Sequence, residues 1–545
     1  MSRRPPQGGR FLCDMSSYAH RASIASALMT STAELWNRSQ ALEAQGSRDE
    51  ARSLYENIIA LEPHHVPARL RMSRLEQFAD RYLASKEHLL RAADAVSAHG
   101  ATRNMGFVTA RLLEFAEEPR VAAIILAADT TDPHVIRQSP ALAQQLWLAG
   151  HYTEALQFMD RIAKQVSVHP LLTFTRANVL RFLGDMEAAE REYEATLRMS
   201  PDFADAHWAL ATHSQSQPPR ARIPRLQAAL VRAKKDSIDQ AHLCYALFRE
   251  FDAAGDIDEA WFSLTLGAHI MKQRFTFDRE LESTRLNAWM SDPDVEAQVT
   301  GDETFTPLFV VGMPRTGTTL LDRILSNHPD VESLGERNDF SAAVSEAADT
   351  FFRSALGSDP ERILSKWDAA RAGQLYVDRL RRSSQGKRFV IDKNPQNLFN
   401  LPLIMRALPN ARVLCLRREP IDACFSNFKE LFQGDAYPYS YDLNNVADHC
   451  EHASQWMHHW QAQFPNRVAV VSYEKLVTNA SSETQCLIAW LGLPPQEQLH
   501  DIKRNVAPVS TASSAQVRED IHSRGVNAWK KYERHLQPLR ERFAQ

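Results

Sequence analysis

Gly312, Arg315, Thr316, Gly317, Thr318 and Thr319 fall in one short stretch, Gly312-Met313-Pro314-Arg315-Thr316-Gly317-Thr318-Thr319. Two glycines let a chain turn tightly. Three hydroxyls and a row of backbone N–H groups donate hydrogen bonds, and one guanidinium adds a fixed positive charge. That is chemistry for a phosphate-like anion. Gly312 and Gly317 have the spacing of a nucleotide-triphosphate loop, but such a loop carries Lys after its second glycine. Here Thr318 holds that place, and the basic residue has moved inside the loop as Arg315.

The elements that must position this loop can be read on either side of it. Leu308 to Met313 is a short apolar run, β-branched in its middle, and reads as a buried parallel strand. Leu320, Leu321, Ile324 and Leu325 recur at helical spacing after the turn. Strand, glycine turn and helix together aim backbone N–H groups and a helix N-terminus at one anion. Further strands are expected at Phe389–Ile391, Val413–Leu416 and Val468–Ser472, separated by long amphipathic helices. That alternation implies an α/β domain with a central parallel sheet, and ligands bind at the carboxyl ends of such strands.

Other chemistry-bearing residues lie further along: Glu336 in Leu334-Gly335-Glu336-Arg337, after the helix that the loop opens, and past strand ends Lys393 in Asp392-Lys393-Asn394-Pro395, Arg418 with Ser426 eight residues on, and Tyr473 in Ser472-Tyr473-Glu474. An Arg followed by a hydroxyl on the next helix suits a dianionic phosphate, with Arg417 as the alternative guanidinium. The loop Pro-Arg-Thr-Gly-Thr-Thr resembles the 5′-phosphosulfate loop of sulfotransferases, which use 3′-phosphoadenosine 5′-phosphosulfate (PAPS). It is most similar to the tyrosylprotein branch and to bacterial sulfotransferases with helical repeats. The resemblance covers roughly residues 305–545. It implies Arg315, Thr316, Gly317, Thr318 and Thr319 at the donor's 5′ end and Arg418 with Ser426 at its 3′-phosphate. Tyr473 would lie against the adenine. Glu336 would act as general base, with Arg337 beside it holding the carboxylate charged, and Lys393 would neutralise the leaving oxygen. Ser513, before Gln516-Val517, would touch the sulfuryl region, and Lys530 would close over the nucleotide, although Ala528 stands at the family's lysine position. No metal is implied. Asp392 keeps a competing reading open, since an Asp at a strand end can hold Mg²⁺ in a P-loop kinase or NTPase. A nucleotide-sensing repeat protein without turnover is the reading from a different class.

Upstream, helical patterning runs from about residue 31 to 270. Gly46, Ala51, Tyr55 and Pro63 recur at the same offsets as Gly184, Ala189, Tyr193 and Pro201, and Gly150-Ala155 and Gly255-Ala260 begin less complete copies. This resembles the tetratricopeptide repeat, in which a small residue lets paired helices approach and glycine ends the first of them. The expected organisation is a flexible leader (1–30), a helical repeat array (31–270), a helical linker (271–306) and a sulfotransferase-like α/β domain (307–545). The array's concave face would suit a peptide or protein acceptor bearing a hydroxyl.

Composition sets the remaining bounds. A chain of 545 residues is too long for one core. A net charge of -4 argues against bulk nucleic-acid binding. Six scattered cysteines without Cys-x-x-Cys point to free thiols in a reducing compartment. The sequence contains neither a membrane-length apolar run nor a secretory signal, so a cytoplasmic enzyme is expected, with homodimerisation open. His449, His452, His458 and His459 cluster on a helical stretch with Trp456 and Trp460, and a solvated, partly aromatic helix face is expected there rather than a metal site.

Overall fold

The computed structural model describes residues 31–165, 169–213, 218, 220–292, 304–505, 507–508 and 519–544. The leader, the 293–303 part of the linker and Ser513 lie outside the described residues. The chain divides into two compact units, 1–104 and 105–545. In the first, helices Thr32–Ala44, Arg48–Leu61, Val66–Phe78 and Tyr82–His99 pack as successive antiparallel neighbours. The second holds further helical pairs up to Met290, followed by the α/β part.

The recurring glycines and alanines occupy equivalent places. Gly46, Gly150, Gly184 and Gly255 all have φ between 82° and 96° and each follows the first helix of a pair. That left-handed conformation is why glycine ends those helices. Ala51, Ala155, Ala189 and Ala260 are all fully buried on the second helix. Tyr55 receives a hydrogen bond from Gln40 at 2.7 Å, and Tyr193 donates one to Asn178 at 2.7 Å, each reaching back fifteen positions to the preceding helix.

Five parallel strands make one sheet: β1 (Thr306–Gly312), β2 (Val331–Ser333), β3 (Phe389–Asp392), β4 (Arg412–Arg417) and β5 (Val468–Ser472), in the order β2-β3-β1-β4-β5. Alternate residues of β1 point into different cores. Phe309 and Val311 join one with Val390, Val413 and Cys415, while Leu308 and Val310 join the other with Ile391, Leu414 and Leu416. A sheet covered on both faces explains the continuous apolar runs of its central strands. The first of these cores also contains Tyr245, Phe248, Leu264 and Trp289 from the helical segment. The sequence pattern changes near residue 307, but packing is continuous across it within the second unit.

Strand β2 went unread in the sequence because Val-Glu-Ser offers one apolar residue and no run. The histidine helix, Leu443–Gln463, corrects the expectation of a solvated face. Trp456 and Trp460 are buried, and His449 is buried and stacked on Tyr439 with ring centroids 3.6 Å apart. His449 and His452 both bond through Nδ1 to Glu282, at 3.0 and 2.8 Å. Burial raises the Glu282 carboxyl, but the two imidazoles more than offset this and hold it well below the usual carboxylate range. Among the described residues there is no cluster of metal-ligating side chains, and no helix is long and apolar enough to cross a membrane.

Candidate active site

Sheet register assembles the site. Gly312 pairs with Leu416 and Arg417 with Ser472, so the turn after β1, the turn after β4 and the start of the helix after β5 meet at one edge. Arg418 crosses that junction. Its Nη1 donates to the Arg315 carbonyl at 2.9 Å, its Nη2 donates to the Gly525 carbonyl, and its guanidinium lies 4.7 Å from the Tyr473 ring centroid. Thr316 Oγ1 donates to the Met313 carbonyl at 2.7 Å and Asn427 Nδ2 to the Pro314 carbonyl at 2.8 Å, which fixes the turn from inside.

The turn's conformation is specialised. Arg315 has φ 65°, in the left-handed region that non-glycine residues seldom occupy. Gly317 has φ 106°, and a Cβ there would sit 2.7 Å from Tyr473 Cδ2. Gly317 is therefore required both by its backbone and by the ring packed on it. It opens helix Thr318–Leu325, whose N-terminus has no capping side chain, and the side chains of Thr318 and Thr319 are buried there. Ser426 is buried on helix Pro420–Phe428, which follows Arg418.

A second junction forms across β2 and β3. Leu334 N–H donates to the Ile391 carbonyl at 3.0 Å and Lys393 N–H to the Gly335 carbonyl at 2.9 Å. This continuation of the ladder sets Glu336 beside Lys393, whose Nζ donates to Glu336 Oε1 at 2.6 Å. Lys393 is 2% exposed and Glu336 46%, so the carboxyl faces outward over a buried ammonium. The expected partner of Glu336 was Arg337, and this is corrected. Arg337 turns away to Asp339 at 2.6 Å and to Glu118 of the helical segment at 3.8 Å. Adjacent residues in an extended loop face opposite ways, so register rather than sequence neighbourhood decides the pair.

Carboxyls dominate the floor of this second junction. Asp392 is fully buried, accepts from Tyr376 at 3.0 Å and Asn397 at 3.2 Å, and is pushed up to about 8 by burial and by neighbouring Asp339. Asp322, on the helix opened by Gly317, is raised by burial and partly relieved by Lys393. Asp392 thus lies inside the fold on Tyr376 and Asn397 and does not face outward as an Mg²⁺ ligand would.

Sequence reasoning missed Lys429 and Glu430. Glu430 is buried with its Oε2 3.6 Å from Arg315 Nε. Lys429 lies 4.8 Å from the Phe425 ring centroid, and burial with Arg249, Arg418 and Arg315 nearby lowers its ammonium to about 7. Neither residue belongs to a motif, and only folding brings them to the loop. Lys530 sits exposed on the turn Ala528–Tyr532, and its side chain makes no hydrogen bond or ion pair among the described residues. Neighbouring Lys531 pairs with Asp252 at 2.6 Å. The turn itself is anchored by Asp422, which accepts from Asn527 N–H at 2.6 Å and Trp529 N–H at 3.1 Å.

Residues 307–497, which include both junctions, match the family model described as "Sulfotransferase family". The chain carries a sulfotransferase-family domain. A "Putative protein-tyrosine sulfotransferase" of Caenorhabditis briggsae is 23% identical over 233 residues, covering 41% of this chain and 80% of that protein. An "Uncharacterized protein" of Aquifex aeolicus is 23% identical over 405 residues, covering 71% of this chain. This chain spans about half, 52%, of the Aquifex protein's length. The solved "Sulfotransferase Domain from the Curacin Biosynthetic Pathway" is 15% identical and covers 44% of this chain and 98% of its own, with a TM-score of 0.29. Within the sulfotransferase domain fall Arg315, Thr316, Gly317, Thr318, Thr319, Glu336, Lys393, Arg418, Ser426 and Tyr473. Ser513 and Lys530 lie beyond the matched residues.

Proposed function

We propose that this protein transfers a sulfuryl group from PAPS to an acceptor hydroxyl, with Glu336 as general base. One observation carries the reading: neighbouring parallel strands place an anion-holding junction, Arg315 with Arg418, and an acid–base junction, Glu336 with Lys393, at the same carboxyl edge of the sheet. The residues present fit such a donor. Arg418 Nε is buried without a partner among the described residues, and an uncapped helix N-terminus opens at Thr318. The terminal nitrogens of Arg418 are occupied by the carbonyls of Arg315 and Gly525. Engaging a 3′-phosphate through its fork therefore requires the Gly525 turn to yield.

When bound, the donor supplies a sulfuryl group already linked to a good leaving group, adenosine 3′,5′-bisphosphate. The acceptor oxygen loses its proton to Glu336 as its bond to sulfur forms and the bond from sulfur to the phosphate oxygen breaks. Lys393, 2.6 Å from Glu336, carries the compensating positive charge, and Arg315 holds the charge that grows on the departing side. Ser513 is assigned to the sulfuryl group and Tyr473 to the adenine by resemblance. Lys530 is retained as a residue that closes over the nucleotide. The acceptor is proposed to be a protein tyrosine, a carbohydrate or another bulky hydroxyl compound, with a peptide or protein acceptor held by the helical repeats, which are read as tetratricopeptide-like, and the reaction is proposed to run in the cytoplasm. The test is transfer of radiolabelled sulfate from PAPS, with acceptors identified by mass spectrometry from cells with and without the protein. The reading expects labelled ester with wild type and little with Glu336→Ala or Lys393→Ala. Full transfer by both variants overturns the assigned roles, and hydrolysis of ATP or GTP with Mg²⁺ in its place would favour a P-loop NTPase.

A further inference from the structure

The wall behind the donor loop is built in part by the helical segment. Helix Ile238–Ala254 lies in the same buried core as the sheet, and its Tyr245 hydroxyl donates to the Phe428 carbonyl at 3.3 Å. One helical turn further along, Arg249 Nη2 donates to the Lys429 carbonyl at 3.4 Å and to Glu430 Oε2 at 3.2 Å. The same Oε2 lies 3.6 Å from Arg315 Nε. Arg249 is itself held between aromatic faces, 5.6 Å from the Trp208 ring centroid and 5.7 Å from that of Phe248. One buried carboxyl is thus shared by a guanidinium of the helical segment and the guanidinium of the loop.

Sharing matters because of what an unshared carboxyl would do. A buried carboxylate with one guanidinium beside it forms a short, two-pronged pair. Such a pair would draw the fork of Arg315 toward Glu430 and cancel its charge. With Arg249 on the same oxygen, Arg315 approaches Glu430 through Nε at 3.6 Å. Arg249, Arg315, Arg418 and Lys429 gather around Glu430, with Asp252 as a second carboxyl beside Lys429. Burial lowers both Arg315 and Lys429 from their ordinary values, with neighbouring cations adding to the effect.

We infer that Arg249 is a positioning residue for the donor site: by sharing Glu430 it holds Arg315 in the orientation that receives the donor's anionic groups, so the helical segment sets donor affinity. This rests on the sulfotransferase reading. Arg249 touches neither donor nor acceptor in this account and acts through Glu430.

The experiment uses the full chain and adenosine 3′,5′-bisphosphate as the calorimetric probe, with donor KM and kcat measured alongside. Losing one charged hydrogen-bonding partner of a buried carboxyl is expected to weaken probe binding by about tenfold or more in Arg249→Ala. Donor KM should rise similarly with kcat little changed. Arg249→Lys keeps the charge without the fork and should lose only about threefold. The decisive variant is Arg249→Ala with Glu430→Gln, which removes both members of the pair and should return affinity to within about threefold of wild type, as charge coupling requires. Should Arg249→Ala fail to fold, Arg249→Gln takes its place with the same thresholds. Wild-type affinity in Arg249→Ala overturns the inference. So does a double variant that stays as weak as the single one, because a merely structural arginine would not be rescued by neutralising Glu430. Failure of the wild-type protein to bind the probe would instead sink the sulfotransferase reading itself.

Discussion

The two junctions at the sheet's edge have opposite characters. Across β1, β4 and β5, Arg315, Arg418 and Lys429 meet one carboxyl, Glu430, and an aromatic ring, Tyr473. Across β2 and β3, Lys393 meets Glu336 and Asp322, and the buried carboxyls Asp392 and Asp339 lie behind them, with Arg337 and Arg379 paired to Asp339. The first gathers several cationic side chains around one buried carboxyl. The second gathers carboxyls that run from exposed Glu336 to fully buried Asp392, and burial pushes the Asp392 carboxyl up. Under the proposed sulfuryl transfer the first junction would receive the anionic donor and the second the acceptor's proton, and parallel register sets both at one edge of the sheet.

Breaking the second junction should have the largest effect. Removing a general base typically costs about 10²–10⁴ in rate, so Glu336→Gln should lower kcat by that order while leaving bisphosphate affinity within about twofold. Steady-state kinetics with calorimetry on the same preparation would check it. Equal losses in both quantities would erase the contrast between the junctions.

Breaking the first junction should do the reverse. Arg418→Ala removes the fork over Tyr473 and the link to the Arg315 carbonyl. Hydrogen bonds to charged groups contribute about 1.5–3 kcal/mol, so bisphosphate affinity should fall roughly 10- to 100-fold. Arg418→Lys should recover little of it, since the planar fork is what meets both carbonyls.

Gly317→Ala tests whether the loop's shape is stored or induced. With φ 106° and Tyr473 in the way, a methyl group forces strain of about 1–3 kcal/mol, read as a lower thermal midpoint. An unchanged midpoint would show that the turn relaxes freely.

A measurement against pH also separates the two junctions. Asp392 rises to about 8 in the fold, so between the ordinary Asp value and 8 the folded state keeps a proton that the unfolded state has lost. Stability from this group is therefore greatest at acid pH and declines as pH rises through that window. Asp392→Asn removes the titration. Its stability relative to wild type should climb steadily from about pH 4 to pH 8 and then level off. Chemical denaturation at several pH values measures this, and a flat difference would contradict it.

Much of this arrangement could be read from the sequence, for identifiable reasons. Leu308, Phe309, Val310 and Val311 form a run that only a doubly covered strand explains, and Gly312 to Thr319 carries its chemistry in residue types alone. The placement of Arg418 after β4 and of Ser426 on the helix that follows could be read from the sequence. Strand β2 was not, because three edge residues need no apolar pattern. Glu336's partner was misread for the same kind of reason: Arg337 is its neighbour in sequence, but the β2–β3 ladder delivers Lys393. Arg249, Lys429 and Glu430 were invisible because their meeting depends on how helix Ile238–Ala254 packs against helix Pro420–Phe428. The buried histidine helix shows that limit from another side, since its polar residues read as a surface until Glu282 and Tyr439 cover them.

The most direct measurement is calorimetric titration of the purified full-length protein with adenosine 3′,5′-bisphosphate, beside Arg315→Ala and Arg418→Ala variants of confirmed fold. The account predicts one saturable site in the wild type and at least about tenfold weaker binding in each variant, consistent with loss of a charged hydrogen-bonding group. Absence of binding by folded wild-type protein, or equal affinity in all three, would contradict it.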